Sequence, residues 1–231
     1  PGGGAPWRLG ACYNLFDGEE LLEYSVRSIR PTVSYVCVVF QEVSNFGQAA
    51  DPRAAKLLDA LVEAGLVDEV VRYSPKTFTK KEKKALVSPR ATGADLGVSD
   101  PELIGDQFFN ELQKRELGRR KCLEQGCTHF MAMDTDEFYL KPELERAMDT
   151  MVAGNYECAL CYMRYFMKAP VWELTPTDDM NMVPAIYSCR EDYDFRLGCP
   201  YPFLIDPTRK LNKLTRLKVF ERSELEMHHM A

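Results

Sequence analysis

No stretch of the sequence comes near the roughly 18 consecutive apolar residues of a membrane-spanning helix. Nor is there an excess of positive charge: 29 Lys and Arg stand against 35 Asp and Glu, a net charge of -6. A mildly acidic chain of this kind is not a general nucleic-acid binder, which needs a broad basic face. One local basic cluster would still suffice for a small phosphorylated ligand. The composition of a disordered chain is missing too, since 45% of the 231 residues are hydrophobic and 11% aromatic. That material builds one sizeable core, or at most two small ones. No secretory leader is visible, and the sequence begins Pro1-Gly2-Gly3-Gly4-Ala5-Pro6 rather than with Met. It reads as a single domain cut from a longer protein, with residues 1–8 as a flexible leader.

Eight cysteines are present, most of them inside apolar runs such as Val36-Cys37-Val38-Val39. Buried free thiols account for that pattern, which points to a reducing, cytoplasm-facing compartment and leaves a Golgi lumen open. Cys158-Ala159-Leu160-Cys161 has the spacing of a zinc half-site but lies in a strand-like run, which argues against structural zinc.

Along the chain, Leu9–Leu15 reads as a strand. An amphipathic helix follows, with Asp17 as N-cap and Glu20 completing a capping box. Tyr35–Phe40 is a Val-rich run of the kind buried on both faces in a parallel sheet. Asp51-Pro52 opens a second helix that ends at Gly65, and Val67–Tyr73 is a third strand. This β-α-β-α-β front predicts a doubly wound sheet with helices on both faces. Lys76 to Arg90 holds six basic residues against Glu82 and reads as a mobile, solvated loop or, functionally, as a lid or partner-docking loop. A helix to Gln125, the strand Thr128–Met133, a helix over Pro142–Met151 and a strand over Tyr156–Met167 come next. Short strands follow at Val183–Ser188, Phe203–Ile205 and Leu217–Phe220. The expected organisation is one domain with a nucleotide-style front half (9–140) and an irregular, substrate-shaping back half (141–231).

The segment richest in chemistry is Phe130-Met131-Ala132-Met133-Asp134-Thr135-Asp136-Glu137-Phe138. Carboxylates at i and i+2 leave a buried strand at the end that borders the ligand crevice of an open α/β sheet. Without a basic neighbour in sequence they repel one another. Mn²⁺ or Mg²⁺ would relieve that repulsion and bridge to phosphate oxygens. A helix start explains one acid, not three in four positions.

The combination resembles the nucleotide-sugar-dependent glycosyltransferases of the GT-A fold. It is carried by Ala11-Cys12-Tyr13-Asn14 with the acidic turn Asp17–Glu20, the strand Val36–Phe40, Lys114-Arg115-x-x-Gly118, Asp134-Thr135-Asp136-Glu137-Phe138 and a late histidine, His228 or His229. The resemblance implies a Rossmann-like mixed sheet flanked by helices. It also implies transfer of a hexosyl or deoxyhexosyl group from a UDP- or GDP-type donor to a glycan or other hydroxyl acceptor. Asp136 would coordinate the metal, Asp134 would touch the ribose or the metal, and His228 would be a further ligand. Tyr13, Asn14 and Thr135 would face the nucleotide, and Arg115 would lie along the donor with Gly118 allowing close approach. Such families often place an Asp at the end of the second strand. Here Gln41 and Asn45 stand in that region as donor-binding candidates.

The departing diphosphate gains negative charge, which cations stabilise as it develops. Arg209, Lys210 and Lys213 are candidates for that clamp, with Arg209 placed among the donor-binding residues. His129 reads as a packed core histidine. An inverting reaction needs a general base. Asp178, Asp179, Glu191, Asp192 and Asp194 are available, with Asp179 and Asp192 taken as the catalytic candidates. Trp172, Tyr162 and Tyr165 could stack on an acceptor sugar. Two other readings share these residues: a haloacid-dehalogenase-like phosphohydrolase, and a non-catalytic nucleotide- or sugar-binding module.

Overall fold

The computed structural model describes residues 7–96, 100–167, 169–174 and 182–230. The front follows the predicted alternation: β1 (Leu9–Leu15), α1 (Glu19–Ile29), β2 (Tyr35–Gln41), α2 (Pro52–Glu63) and β3 (Glu69–Tyr73). Then come α3 (Lys80–Ala85), α4 (Gly93–Leu96), α5 (Asp106–Glu124), β4 (His129–Asp134), β5 (Glu137–Phe138) and α6 (Lys141–Gly154). The back half adds β6 (Cys158–Phe166), β7 (Met182–Ser188), a 3-10 turn at Pro207–Arg209, β8 (Leu217–Val219) and β9 (Glu226–Met230).

The strands form one mixed sheet in the order β3-β2-β1-β4-β7-β6-β9-β5, with β8 attached to β6. β3, β2, β1 and β4 are parallel, whereas β7 runs antiparallel to both β4 and β6. Both halves of the chain therefore share one sheet. β1 and β2 are covered on both faces, which is why they are near-continuous apolar runs. Alternate residues feed two cores. Ala11, Tyr13, Val36 and Val38 pack under α1, α2 and α6, while Cys12, Cys37 and Val39 pack under α5. This is the doubly wound arrangement expected from the sequence.

Local chemistry explains most element boundaries. Asp51 caps α2 by accepting from the Arg53 backbone N–H, with Pro52 at the first helical position. α1 departs from expectation: its N-cap is Gly18, at φ 75°, and Asp17 makes no cap. Two corrections concern the loops and the back half. The basic stretch from Lys76 carries a short helix rather than a plain loop, and Lys76 and Lys80 are exposed to solvent as expected. Thr79 and Glu82 form a capping box for α3, Lys80 pairs with Glu102, and Lys83 pairs with Asp106. Phe203–Ile205 is irregular, and the strand that closes this region is β9. All eight cysteines are free and buried, and Cys158 and Cys161 lie on β6. Among the described residues no helix is long and apolar enough to cross a membrane.

Gly118 serves packing. A Cβ there would stand 2.4 Å from both Cβ and Sγ of Cys12, so the missing side chain lets α5 lie against β1. Gly118→Ala is expected to cost about 1–3 kcal/mol through overpacking, read as an earlier midpoint in urea unfolding with an unchanged slope.

Candidate functional site

The parallel strands β1, β2 and β4 end on the same edge of the sheet. Between β1 and β4 the strand order reverses direction, and Asn14 pairs in register with Asp134. Such a switch point leaves a crevice outside the strand ends. The loop Asp134-Thr135-Asp136 crosses it. Gly18 lets α1 approach this loop, because a Cβ at that position would meet Thr135 Oγ1 at 2.6 Å.

Asp134 sits inside a buried ion cluster. Arg209 Nη2 donates to its Oδ2 at 2.7 Å, and Arg115 Nη2 reaches Oδ1 and Oδ2 at 3.2 and 3.3 Å. Arg209 also donates to Glu137 and, at 3.2 Å, to the Ala132 carbonyl. The Asp134 backbone N–H donates to Glu137 Oε2 at 3.2 Å. Both guanidinium side chains are 4% exposed, so neither is screened by bulk water. Burial opposes the charge on Asp134, but the two guanidiniums outweigh it and hold its carboxyl well below the usual carboxylate range. Glu137 responds the other way: burial, with Asp134 nearby, pushes it up to about 7 despite Arg209. Asp134 was expected at the ribose or on a metal. Instead its two oxygens are taken up by arginines 19 and 75 residues away in sequence.

Asp136 is different. Its Oδ1 is buried and has no hydrogen-bond partner among the described residues. Burial, with Asp134 close by, raises its pKa above the ordinary carboxylate value. His229 Nε2 lies 3.5 Å from its Oδ2. β9 pairs with β5 so that His229 opposes Glu137 and His228 opposes Phe138. Alternation along the strand then sends His228 to the other face, where it stacks on Phe166 with centroids 5.7 Å apart. His229, not the expected His228, is thus the histidine beside Asp136.

An unpaired carboxylate oxygen next to an imidazole suits a hard divalent cation whose remaining ligands are phosphate oxygens and water. It does not suit a cation held by protein alone: among the described residues, no group of three His, Cys, Asp or Glu side chains is placed to hold a metal ion. The residues therefore fit a cation shared with a phosphorylated ligand.

Two cavities meet at Asp134. One, of about 390 Å³, is lined by Asn14, Gln41, Asn45, Lys114, Asp134 and Asp136, among others. Gln41 is 1% exposed; its Nε2 donates to the Val43 carbonyl at 2.8 Å, and its Oε1 is unpartnered among the described residues. Since Val43 O can only accept, this orientation of the amide is fixed. Asn45 Oδ1 is likewise buried and unpartnered, and Thr135 lines the same cavity. Asn14 Nδ2 donates to Glu111, which pairs with Lys114. The second cavity, of about 410 Å³, is lined by Asp134, Glu137, Tyr165, Asp206, Arg209 and His229, among others.

Other sequence candidates lie elsewhere. Tyr13 points into the core, where its hydroxyl meets Ser25 Oγ at 2.9 Å, because it alternates with the Asn14 that faces the crevice. Asp192 pairs with Arg190 and Lys213 near the start of β4, where His129 pairs with Ser188. Five strand residues, or about 16 Å, separate that end from Asp134. Asp194 is held there by Arg196 and Asn212. Asp178 and Asp179 lie outside the described residues. Lys210 lies over the Tyr201 ring and Lys213 donates to the Asp192 carbonyl, so of the three clamp candidates only Arg209 reaches the carboxylates. Trp172 is exposed. Of the residues at the site, Asp206 had no role in the sequence reading, Glu137 stood there only as the third acid of the loop, and His229 only as the alternative to His228.

No family model matches the sequence, and no curated protein matches it either. Solved structures do resemble its fold. S. aureus TarS 1-349 in complex with UDP aligns over 97% of this chain and 60% of its own, with a TM-score of 0.54 and 11% identity. GalNAc-T7 with UDP, GalNAc and Mn²⁺ aligns over 97% of this chain and 44% of its own, with a TM-score of 0.54 and 9% identity. Against a longer TarS structure the chain spans 37% of that protein's length. These likenesses show the fold: a Rossmann-like mixed sheet of the GT-A type, flanked by helices.

Proposed function

We propose that the chain is the catalytic domain of a metal-dependent glycosyltransferase that takes its sugar from a nucleoside diphosphate donor. The observation that carries this reading is the unpartnered Asp136 Oδ1, buried at the switch point with His229 beside it. That oxygen, left without a proton donor, is costly unless something positively charged meets it. Support also comes from the fold shared with structures solved with UDP, with UDP-GlcNAc, and with UDP and Mn²⁺.

In this reading the nucleotide occupies the first cavity. Gln41 Oε1 and Asn45 Oδ1 are acceptors without donors, and the ring N–H of a uracil or guanine would supply one. The diphosphate then crosses Thr135 toward Asp136 and His229, which would hold the cation. When bound, that cation supplies positive charge to the leaving diphosphate. Arg115 and Arg209 fix Asp134 as a rigid wall between the two cavities. The donor sugar reaches the second cavity, where the acceptor would enter. A phosphohydrolase using Asp134 as nucleophile is disfavoured, because both of its oxygens are already hydrogen-bonded.

The test is UDP and GDP binding with and without Mn²⁺, by calorimetry and thermal shift. One of them should raise the melting temperature only when Mn²⁺ is present, since ligand binding to the native state alone stabilises it. Gln41→Leu should weaken that nucleotide by about 10-fold, the worth of one buried hydrogen bond. Neither nucleotide shifting the transition at millimolar concentration would refute the assignment.

A further inference from the structure

The second cavity contains three carboxylates, Asp134, Glu137 and Asp206. Asp134 and Glu137 are bound by Arg209, and Asp134 by Arg115 as well. Of the three, Asp206 alone has an oxygen that accepts no hydrogen bond among the described residues. Its Oδ1 accepts from the backbone N–H and the hydroxyl of Thr208, both at 2.8 Å, which fixes the side chain. Its Oδ2 accepts no hydrogen bond among the described residues, and its nearest cations, Arg115 and Arg209, stand off at 4.0 Å. The side chain is 45% exposed and so open to a ligand in the cavity. The bases favoured by the sequence are either at the far end of β4 or outside the described residues.

We infer that Asp206 is the general base that deprotonates the acceptor hydroxyl, and that transfer inverts the anomeric centre. The inference rests on the glycosyltransferase reading above. In the step, the acceptor O–H proton passes to Asp206 Oδ2 as the acceptor oxygen bonds to the anomeric carbon. The bond from that carbon to the diphosphate oxygen breaks on the opposite side, and its electron pair leaves with the diphosphate. A base acts in this way when one oxygen is held and the other is free to accept.

Water can stand in for the acceptor, so the test needs no acceptor to be known. The chain is incubated with Mn²⁺ and α-linked UDP-glucose, UDP-GlcNAc, UDP-galactose or GDP-mannose. The first sugar released is then read by proton NMR before it mutarotates. The β-anomer is expected from the wild type. Asp206→Asn keeps an oxygen for Thr208 and should fold normally, as checked by its melting temperature. It should bind the nucleotide with Mn²⁺ as tightly as the wild type, yet hydrolyse the donor about 100-fold or more slowly. Release of the α-anomer would overturn the inference, as would an undiminished rate in the Asp206→Asn variant. So would a wild-type chain that binds the donor and never hydrolyses it. Failure of the wild type to bind any nucleotide with Mn²⁺ sinks the glycosyltransferase reading itself, so the two failures are told apart.

Discussion

Asp136→Asn should abolish Mn²⁺-dependent nucleotide binding and lower any sugar-transfer or donor-hydrolysis rate by about 100-fold to 1,000-fold, the usual scale for losing one preorganised electrostatic contact. The same change should leave the metal-free chain as stable as before, or more so. The sign follows from the direction of the pKa shift. Burial raises the Asp136 pKa in the folded state, so the charged form is disfavoured there relative to the unfolded chain. Its contribution to stability is present at acid pH and is lost as pH rises through the carboxylate range. A neutral amide escapes that loss at pH 7. Melting temperature and metal titration measured on one preparation check both halves. A variant that still binds UDP with Mn²⁺ removes Asp136 from the site, whereas a drop in melting temperature would contradict only the burial argument.

Arg209→Ala should show the opposite pattern, a large loss of stability whether or not ligand is present. It would strand Asp134 and Glu137 in a buried pocket, with Arg115 as the one cation left in the cluster. Breaking a buried ion cluster from one side costs about 3–5 kcal/mol. For a domain of this size that lowers the melting temperature by about 10 °C. Neutralising the acids at the same time, as Asp134→Asn and Glu137→Gln with Arg209→Met, should recover most of the loss, because the desolvated charges are then gone. Arg209→Met alone, unfolded in urea beside the triple variant, separates this account from simple loss of side-chain volume: it keeps most of the volume yet still strands the two acids, so it should stay destabilised.

These two residues also mark how far the sequence could be read. The front half was legible because β1 and β2 are buried on both faces and their helices begin at recognisable turns. The acidic loop was legible because three acids after an apolar strand are hard to explain otherwise. What Asp134 touches was not, since Arg115 and Arg209 are brought to it by α5 and by the turn after Asp206. The choice between His228 and His229, and the direction of Tyr13, each turn on strand parity. Parity becomes certain only when the partner strand is known. The segment from Lys76 reads as a loop because its run of charges hides the Thr79 and Glu82 capping box, and its distant partners Glu102 and Asp106 cannot be seen from its own sequence.

The pairing of β5 with β9 has a consequence for biogenesis. Asp136 and His229 come from distant parts of the chain, and among the described residues the two-residue β5 is held to the sheet by β9 alone. Contacts of such long range close late. During synthesis the acids leave the ribosome well before the imidazole does, so Asp136 and His229 meet only after β9 has emerged and paired with β5. Until then the chain is chemically silent.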